Sequence, residues 1–413
     1  MNASDTLLTY RRLRPNAPVG LLAKACLELH PRGITCARCM EACPVEVLFL
    51  TKEGMELNEG CLGCGRCMGA CPTGAIAVHG FALAPTPDST HEALMLDCWK
   101  VPRDLSPYGA VRVPCLGGLR VSQLLALRYV GGSRRLVLLD RGWCGQCAAG
   151  GNDSHPAQAA LSATCNWLEE IGAPASHCPT LEKQLLPVSS QRHTISDNTE
   201  TGDTVSRRNF ASRLAREVAI TASKVAGFRL GDSGTGKLLR TVNNQAPVRA
   251  IEHERQLLML ERLAARYGGS LPQSFFPTVK IGPECRDHRR CTGLCPTGAL
   301  KSYENPHGGG VSFDSAVCIA CGQCERICPE HAVQLSTWNA GAASPHETIV
   351  LTRHARRACI DCGEAFSTGG YETCCPTCRK SREMACAGVD TLFRTIPDDQ
   401  QRHNTWTNNT NKK

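Results

Sequence analysis

The sequence predicts an α+β chain of several small domains: two cysteine-rich modules flanking a small α/β domain, with a cysteine ribbon near the C-terminus. Three observations carry this reading. Cys61, Cys64, Cys67 and Cys71-Pro72 form a C-x2-C-x2-C-x3-C-P run, and Cys318, Cys321, Cys324 and Cys328-Pro329 form a second. Between the runs, short apolar segments each end in a cysteine and a helical segment separates two of them. Beyond them, Cys359-x2-Cys362 and Cys375-x2-Cys378 make two knuckles.

The runs come first. Three thiolates on one tight loop grip a single cubane, and the fourth Cys, followed by Pro, points away to another cluster. Each run has an imperfect partner upstream. Cys36, Cys39 and Cys43-Pro44 match its last three positions, with Gly33 at the first. Cys285, Cys291 and Cys295-Pro296 match the first, third and fourth, with His288 at the second. "CPTGAI" and "CPTGAL" recur after the second and third runs. On these residues, over about 33–80 and 285–336, the chain resembles the bacterial 2[4Fe-4S] ferredoxin family. That resemblance implies a pseudo-symmetric fold of short hairpins and helices around cubanes. The expected dicluster modules are 31–82 and 280–337. Their [4Fe-4S] ligands are Cys36, Cys39, Cys43, Cys61, Cys64, Cys67 and Cys71 in the first. Those of the second are Cys285, His288, Cys291, Cys295, Cys318, Cys321, Cys324 and Cys328. Cys43 and Cys71 are expected to serve clusters built mainly by the opposite run.

Two sites depart from the pattern. Gly33 leaves one cubane with Cys36, Cys39 and Cys71. Either Cys26 swings in as fourth ligand, or iron is lost to give [3Fe-4S], or an open iron takes water or substrate. Against ligation, Cys26 reads equally as a core thiol in a helix over "GLLAKACLEL". His288 as a ligand would raise the potential of its cluster, because a neutral imidazole replaces a thiolate. The competing reading is a surface histidine in "RDHRR" beside a three-iron site.

Residues 92–180 differ in character. "EALMLDCW", "AVRVPC" and "SRRLVLLDRGWC" read as strands, with the helix "RVSQLLALRYVGG" between the last two. Strand–helix–strand at this spacing predicts a parallel sheet. Cys98, Cys115, Cys144 and Cys147 then sit at the carboxyl ends of the strands, where open α/β sheets place ligands. Four converging thiols would hold one [2Fe-2S] cluster; otherwise they are buried free thiols. Over about 92–152 the chain resembles the small iron–sulfur subunit of methanogen hydrogenase–heterodisulfide reductase complexes. The resemblance implies the [2Fe-2S] role for these four positions. That family has a second Cys soon after the first, and Trp99 and its neighbours offer none.

In the ribbon, 355–385, Cys359, Cys362, Cys375 and Cys378 give a tetrahedral S4 site. The knuckles look like those of rubredoxin, but the loop between them is much shorter, so structural zinc is favoured over iron. Cys374 is a second candidate for the third position but breaks the spacing. Cys165, Cys178 and Cys386 have no partner at metal spacing and read as structural.

The rest of the chain is a basic N-terminal arm (1–30), a polar loop and helical linker (181–275), and a tail (386–413) expected to be disordered at its end. Helices are expected at 206–228 and 248–268. Ser206-Arg207-Arg208-Asn209-Phe210 imitates a twin-arginine motif, but Arg213, Arg216, Glu217 and Lys224 follow where an export signal is apolar. Residues 231–237 imitate a phosphate-binding loop, but Leu238 stands where Mg2+ needs Ser or Thr.

The 413-residue chain holds 27 Cys. A secreted disulfide scaffold is disfavoured by the C-x2-C spacings and by an N-terminus without an export signal, so a reducing cytoplasm is expected. No apolar run reaches membrane-spanning length. The net charge of +8 suggests an acidic redox partner. No helix-turn-helix or base-stacking platform points to nucleic acid. No catalytic constellation accompanies the cysteines, so an enzyme is not expected. The expected function is electron relay between a cytoplasmic oxidoreductase and a carrier. By family analogy that oxidoreductase is a formate dehydrogenase or another molybdoenzyme. The alternative is an assembly or maturation factor for such an enzyme.

Overall fold

The computed structural model describes residues 19–31, 34–51, 54–78, 81, 83, 91–150, 154–191, 246–305, 308–337, 347–368 and 371–393. The arm before Val19, Gly33, the helix expected at 206–228, the 231–237 stretch and the Asn/Thr/Lys tail lie outside them.

The first module joins β1 (Val19–Leu21), α1 (Arg38–Glu41), the hairpin β2 (Leu48–Thr51) and β3 (Gly54–Leu57), α2 (Arg66–Ala70) and β4 (Ile76–Val78). β1 runs antiparallel to β4, Val19 against Val78 and Leu21 against Ile76. The helix expected over "GLLAKACLEL" is therefore not formed. Its first residues are strand, and Ala23–Ala25 make one 3-10 turn. Pairing with β4 satisfies the backbone and buries Val19, Leu21, Ile76 and Val78 in one core with Met55 and Met68. Leu22 N–H extends the pairing to Ala75 O at 2.8 Å. The turn then carries Cys26 back over the module.

The α/β domain is a four-stranded parallel sheet in the order β6 (Val111–Val113), β5 (Ala93–Cys98), β7 (Arg135–Asp140), β8 (Thr180–Lys183). Helices α3 (Val121–Gly131) and α4 (Gln158–Glu170) belong to the same domain. Leu136, Val137, Leu138 and Leu139 of β7 are all buried, as expected of a parallel strand covered on both faces. The three expected strands and the helix between them are present; β8 completes the sheet and α4 precedes it.

The linker contributes α5 (Ile251–Tyr267), ended by Gly268 in the left-handed conformation. Its Leu260, Leu263 and Ala264 pack on Leu125, Leu168, Ile171, Phe275 and Phe276. It also ties the domains together. Glu252, buried, accepts from Ser122 Oγ at 2.8 Å and lies 3.8 Å from Arg120 Nε. Arg120 in turn donates to Met68 O, at 3.1 Å, and to Ile76 O of the first module. His253 Nε2 donates to Ala316 O of the second module at 2.9 Å.

The second module repeats the first: β9 (Pro277–Ile281), α6 (Arg290–Gly293), the hairpin β10 (Leu300–Asn305) and β11 (Gly308–Phe313), α7 (Gln323–Arg326) and β12 (Val333–Thr337). β9 pairs with β12 as β1 does with β4. The ribbon is built onto this module. β11 also pairs with β13 (Ile349–Val350) and β14 (His354–Ala358), and β14 pairs with β15 (Ala365–Thr368). The Gly308–Gly310 run permits this approach, since a Cβ at Gly308 would meet His354 O at 2.2 Å. A helix, α8 (Pro376–Phe393), starts at the second knuckle and runs beyond the expected ribbon end at 385.

Candidate metal centres

The short helices and turns bring the ferredoxin cysteines together in crossed sets. Cys26, Cys36, Cys39 and Cys71 face one another. Burial pushes the Cys39 thiol up to about 12, and repulsion from Cys71, Cys26 and Cys36 adds to it. Burial likewise raises Cys26 and Cys36, with repulsion from Cys71 felt by both. Cys26 thus stands beside the three thiols that Gly33 leaves short of a fourth. Cys36 N–H is fixed by the Glu28 carboxylate at 2.7 Å, and Cys71 Sγ accepts Ala75 N–H at 3.2 Å.

The second set is Cys43, Cys61, Cys64 and Cys67. Burial raises Cys61, Cys64 and Cys67, and the like charge of Cys43 acts on Cys61 and Cys64. Cys43 thus stands with the later run and Cys71 with the earlier. In the second module, Cys295, Cys318, Cys321 and Cys324 line one pocket with Val279, Phe313 and Leu335. Burial pushes Cys318 and Cys324 up to about 12, with repulsion from Cys295 on each.

The remaining set holds three thiols, Cys285, Cys291 and Cys328. Burial pushes Cys291 up to about 11, and Cys285 and Cys328 repel it. His288, at the expected ligand spacing, places Nε2 3.9 Å from Glu330 Oε1, with its side chain about a quarter exposed (27%). A different imidazole, the buried His354 of β14, lies with Nε2 3.8 Å from Cys285 Sγ. It is invisible to spacing arguments, because it reaches the set from the ribbon, 69 residues away.

In the α/β domain, Cys98, Cys115, Cys144 and Cys147 line one cavity with Trp99, Arg141 and Trp143. Burial raises Cys98, and Cys115, Cys147 and Cys144 repel it. Burial also pushes Cys144 up to about 12 and Cys115 up to about 11. At the cavity wall, Asp97 and Arg141 form a buried pair, Oδ2 to Nη2 at 2.6 Å. Asp97 also takes Cys98 N–H at 2.9 Å and Ser106 Oγ at 2.7 Å, so it holds the end of β5 in place. His155 Nε2 is 3.5 Å from Cys144 Sγ. Farther off, Cys165 is pushed up to about 12 by burial and by the thiol of Cys178 beside it.

In the ribbon, the sulfurs of Cys359, Cys362, Cys375 and Cys378 all lie within 4.8 Å of one another, a single ion's coordination shell. Cys359 Sγ accepts Cys375 N–H at 3.2 Å. Backbone donors from Cys375, Cys362 and Asp361 bring the Cys359 thiol down to about 6. Cys374 turns away, its Sγ 3.4 Å from Asp361 Oδ2. Among the described residues, no three thiols of the other sets come within that 4.8 Å limit.

The sets neighbour one another in order. Cys291 and Cys328 share one apolar cluster with Cys295, Cys318 and Cys324. Ile319, between Cys318 and Cys321, packs with Cys36 on Leu27, Ile34 and Val248, which joins the two modules. Cys39 repels Cys67 across the first module. Cys64 lines the α/β cavity, and it raises Cys115. Only glycine fits at that junction, because a Cβ on Gly118 would meet Cys64 O at 2.5 Å. Arg66 clasps it, donating to Gly150 O at 2.6 Å and Ala149 O at 3.3 Å.

Comparison with known families agrees with this geometry. Residues 32–75 match the family described as a 4Fe-4S dicluster domain, and residues 311–334 match a 4Fe-4S binding domain. The chain carries two ferredoxin-type 4Fe-4S domains. They indicate an iron–sulfur electron-transfer role. Cys26 lies outside the first match, and Cys285, Cys291 and Cys295 outside the second. No curated protein matches the chain. No described helix is long and apolar enough to cross a membrane.

Proposed function

We propose that the chain is a multicluster electron relay in which five cysteine sets form one file. The file runs from Cys285, Cys291 and Cys328, beside the ribbon, through the set of Cys295 and the set of Cys26. It continues through the set of Cys43 to the α/β cavity. The observation that carries this reading is the succession of neighbouring sets, ending with Cys64 on the cavity wall. Bound clusters supply one-electron chemistry at each set. The residues do the rest. Buried thiols that repel one another favour a cationic cluster in place of their protons. Leu27, Ile34 and Val248 keep water from the junction between the modules.

The four ferredoxin sets take [4Fe-4S] clusters. Cys26 completes the set that Gly33 leaves open, and an imidazole, His288 or His354, stands at the fourth position of the Cys285 set. The α/β cavity takes a [2Fe-2S] cluster, as the likeness to the small subunit of methanogen complexes implies. The ribbon takes zinc, which has no redox chemistry and therefore stabilises the fold beside the first cluster. The basic chain docks an acidic oxidoreductase or carrier in the cytoplasm.

Anaerobically purified protein should contain about four irons for each ferredoxin set and one zinc for the ribbon. It should be reduced and reoxidised rapidly without losing iron. Transfer of its iron and sulfide to an apo-acceptor, in place of reversible reduction, would make it an assembly factor.

A further inference from the structure

Beside Cys144, on the α/β cavity wall, stands an imidazole that no cysteine spacing marks. His155 precedes α4 and points Nε2 at Cys144 Sγ across 3.5 Å. On its other side, Ala157 N–H donates to Nδ1 at 3.3 Å. Asp140 brings a carboxylate oxygen within 4.8 Å of both the thiol and the ring. Carboxylate, thiol and imidazole together look like a mononuclear metal site. The hydrogen bond at Nδ1 argues otherwise. A neutral imidazole has one N–H and one ring-nitrogen lone pair. The lone pair is occupied at Nδ1 by the Ala157 N–H, so the proton is on Nε2, facing sulfur. Nε2 donates and has no lone pair in the ring plane with which to coordinate.

We propose that His155 is a positioning residue whose Nε2–H···Sγ bond to Cys144 orients that thiolate and raises the reduction potential of the centre held by Cys98, Cys115, Cys144 and Cys147. This rests on the reading of those four thiols as an iron–sulfur site. Donation to a ligand sulfur stabilises negative charge there, and reduction adds negative charge, so the reduced state gains more. The backbone donor at Ala157 fixes the tautomer from behind, as the partner of the other ring nitrogen does for imidazoles at metal sites. The effect makes the α/β end of the file a better electron acceptor than the four thiols alone would be.

The test uses the full chain, loaded anaerobically, as parent, Cys98→Ala, His155→Phe and His155→Gln. The EPR signal that Cys98→Ala abolishes belongs to the α/β centre. If Cys98→Ala abolishes no signal, the cluster reading fails, and this inference with it. With the signal identified, His155→Phe should lower its midpoint potential and leave the other signals in place. His155→Gln, which keeps a donor, should restore part of the shift. Pulsed EPR should find an exchangeable proton coupled to the parent centre, lost in D2O and in His155→Phe. An unchanged midpoint with no such proton overturns the proposal while leaving the cluster reading intact. Loss of the centre in both His155 variants with recovery in His155→Cys also overturns it, by making His155 a ligand.

Discussion

Cys26→Ala is expected to turn the cubane beside Cys36, Cys39 and Cys71 into a three-iron cluster. The structure sets Cys26 among these thiols, where burial and the charges of Cys71 and Cys36 raise it. Without it, one iron of that cluster has no thiolate. The chain should lose about one iron and gain a [3Fe-4S] signal in the oxidised state. Gly33→Cys in the same background restores the C-x2-C-x2-C spacing and should restore the fourth iron. Quantitative iron analysis with EPR of the oxidised protein reads both outcomes. An unchanged iron count and no new signal in Cys26→Ala would return Cys26 to the core as an ordinary thiol.

The second large effect is expected at Asp97→Ala. Asp97 and Arg141 are almost wholly enclosed, with side chains 0% and 2% exposed. Removing the carboxylate leaves the buried guanidinium bonded to Gln184 but without a counter-charge, and frees the Cys98 and Ser106 groups that Asp97 accepts from. Breaking a buried pair from one side costs about 3–5 kcal/mol, enough to loosen a small α/β domain. Arg141→Leu with Asp97→Leu removes both charges and should cost less. Denaturant unfolding of the anaerobic protein, followed by circular dichroism, compares the two. An Asp97→Ala variant within about 0.5 kcal/mol of the parent, the usual range for surface changes, would mean the pair is not what holds the cavity wall.

Spacing makes the ferredoxin sets legible in the sequence. The tight C-x2-C-x2-C loop and the C-P step mark out which cysteines group together and which cross between runs. The ribbon knuckles are legible for the same reason. The α/β cavity is legible through strand patterning, because ends of parallel strands converge by construction. Long-range partners leave no such trace. Cys26 reaches its set only because Val19–Leu21 pairs as a strand with Ile76–Val78, in a segment whose apolar residues suit a helix as well. His354 arrives by pairing of β14 with β11, and His155 is a single histidine in a loop. The Arg120–Glu252 link joins residues from separate domains, and two isolated charges give a sequence reader nothing to connect.

In the proposed file each centre senses the next, and the junction at Cys64 is where the ferredoxin-type domain meets the α/β cavity. The direct measurement is the electron-spin relaxation of the reduced α/β centre, with and without the neighbouring cluster, removed by Cys61→Ala with Cys67→Ala. Fast relaxation is predicted in the parent and markedly slower relaxation in the variant. Equal relaxation in both, or a parent chain that binds zinc but no iron, would contradict the relay.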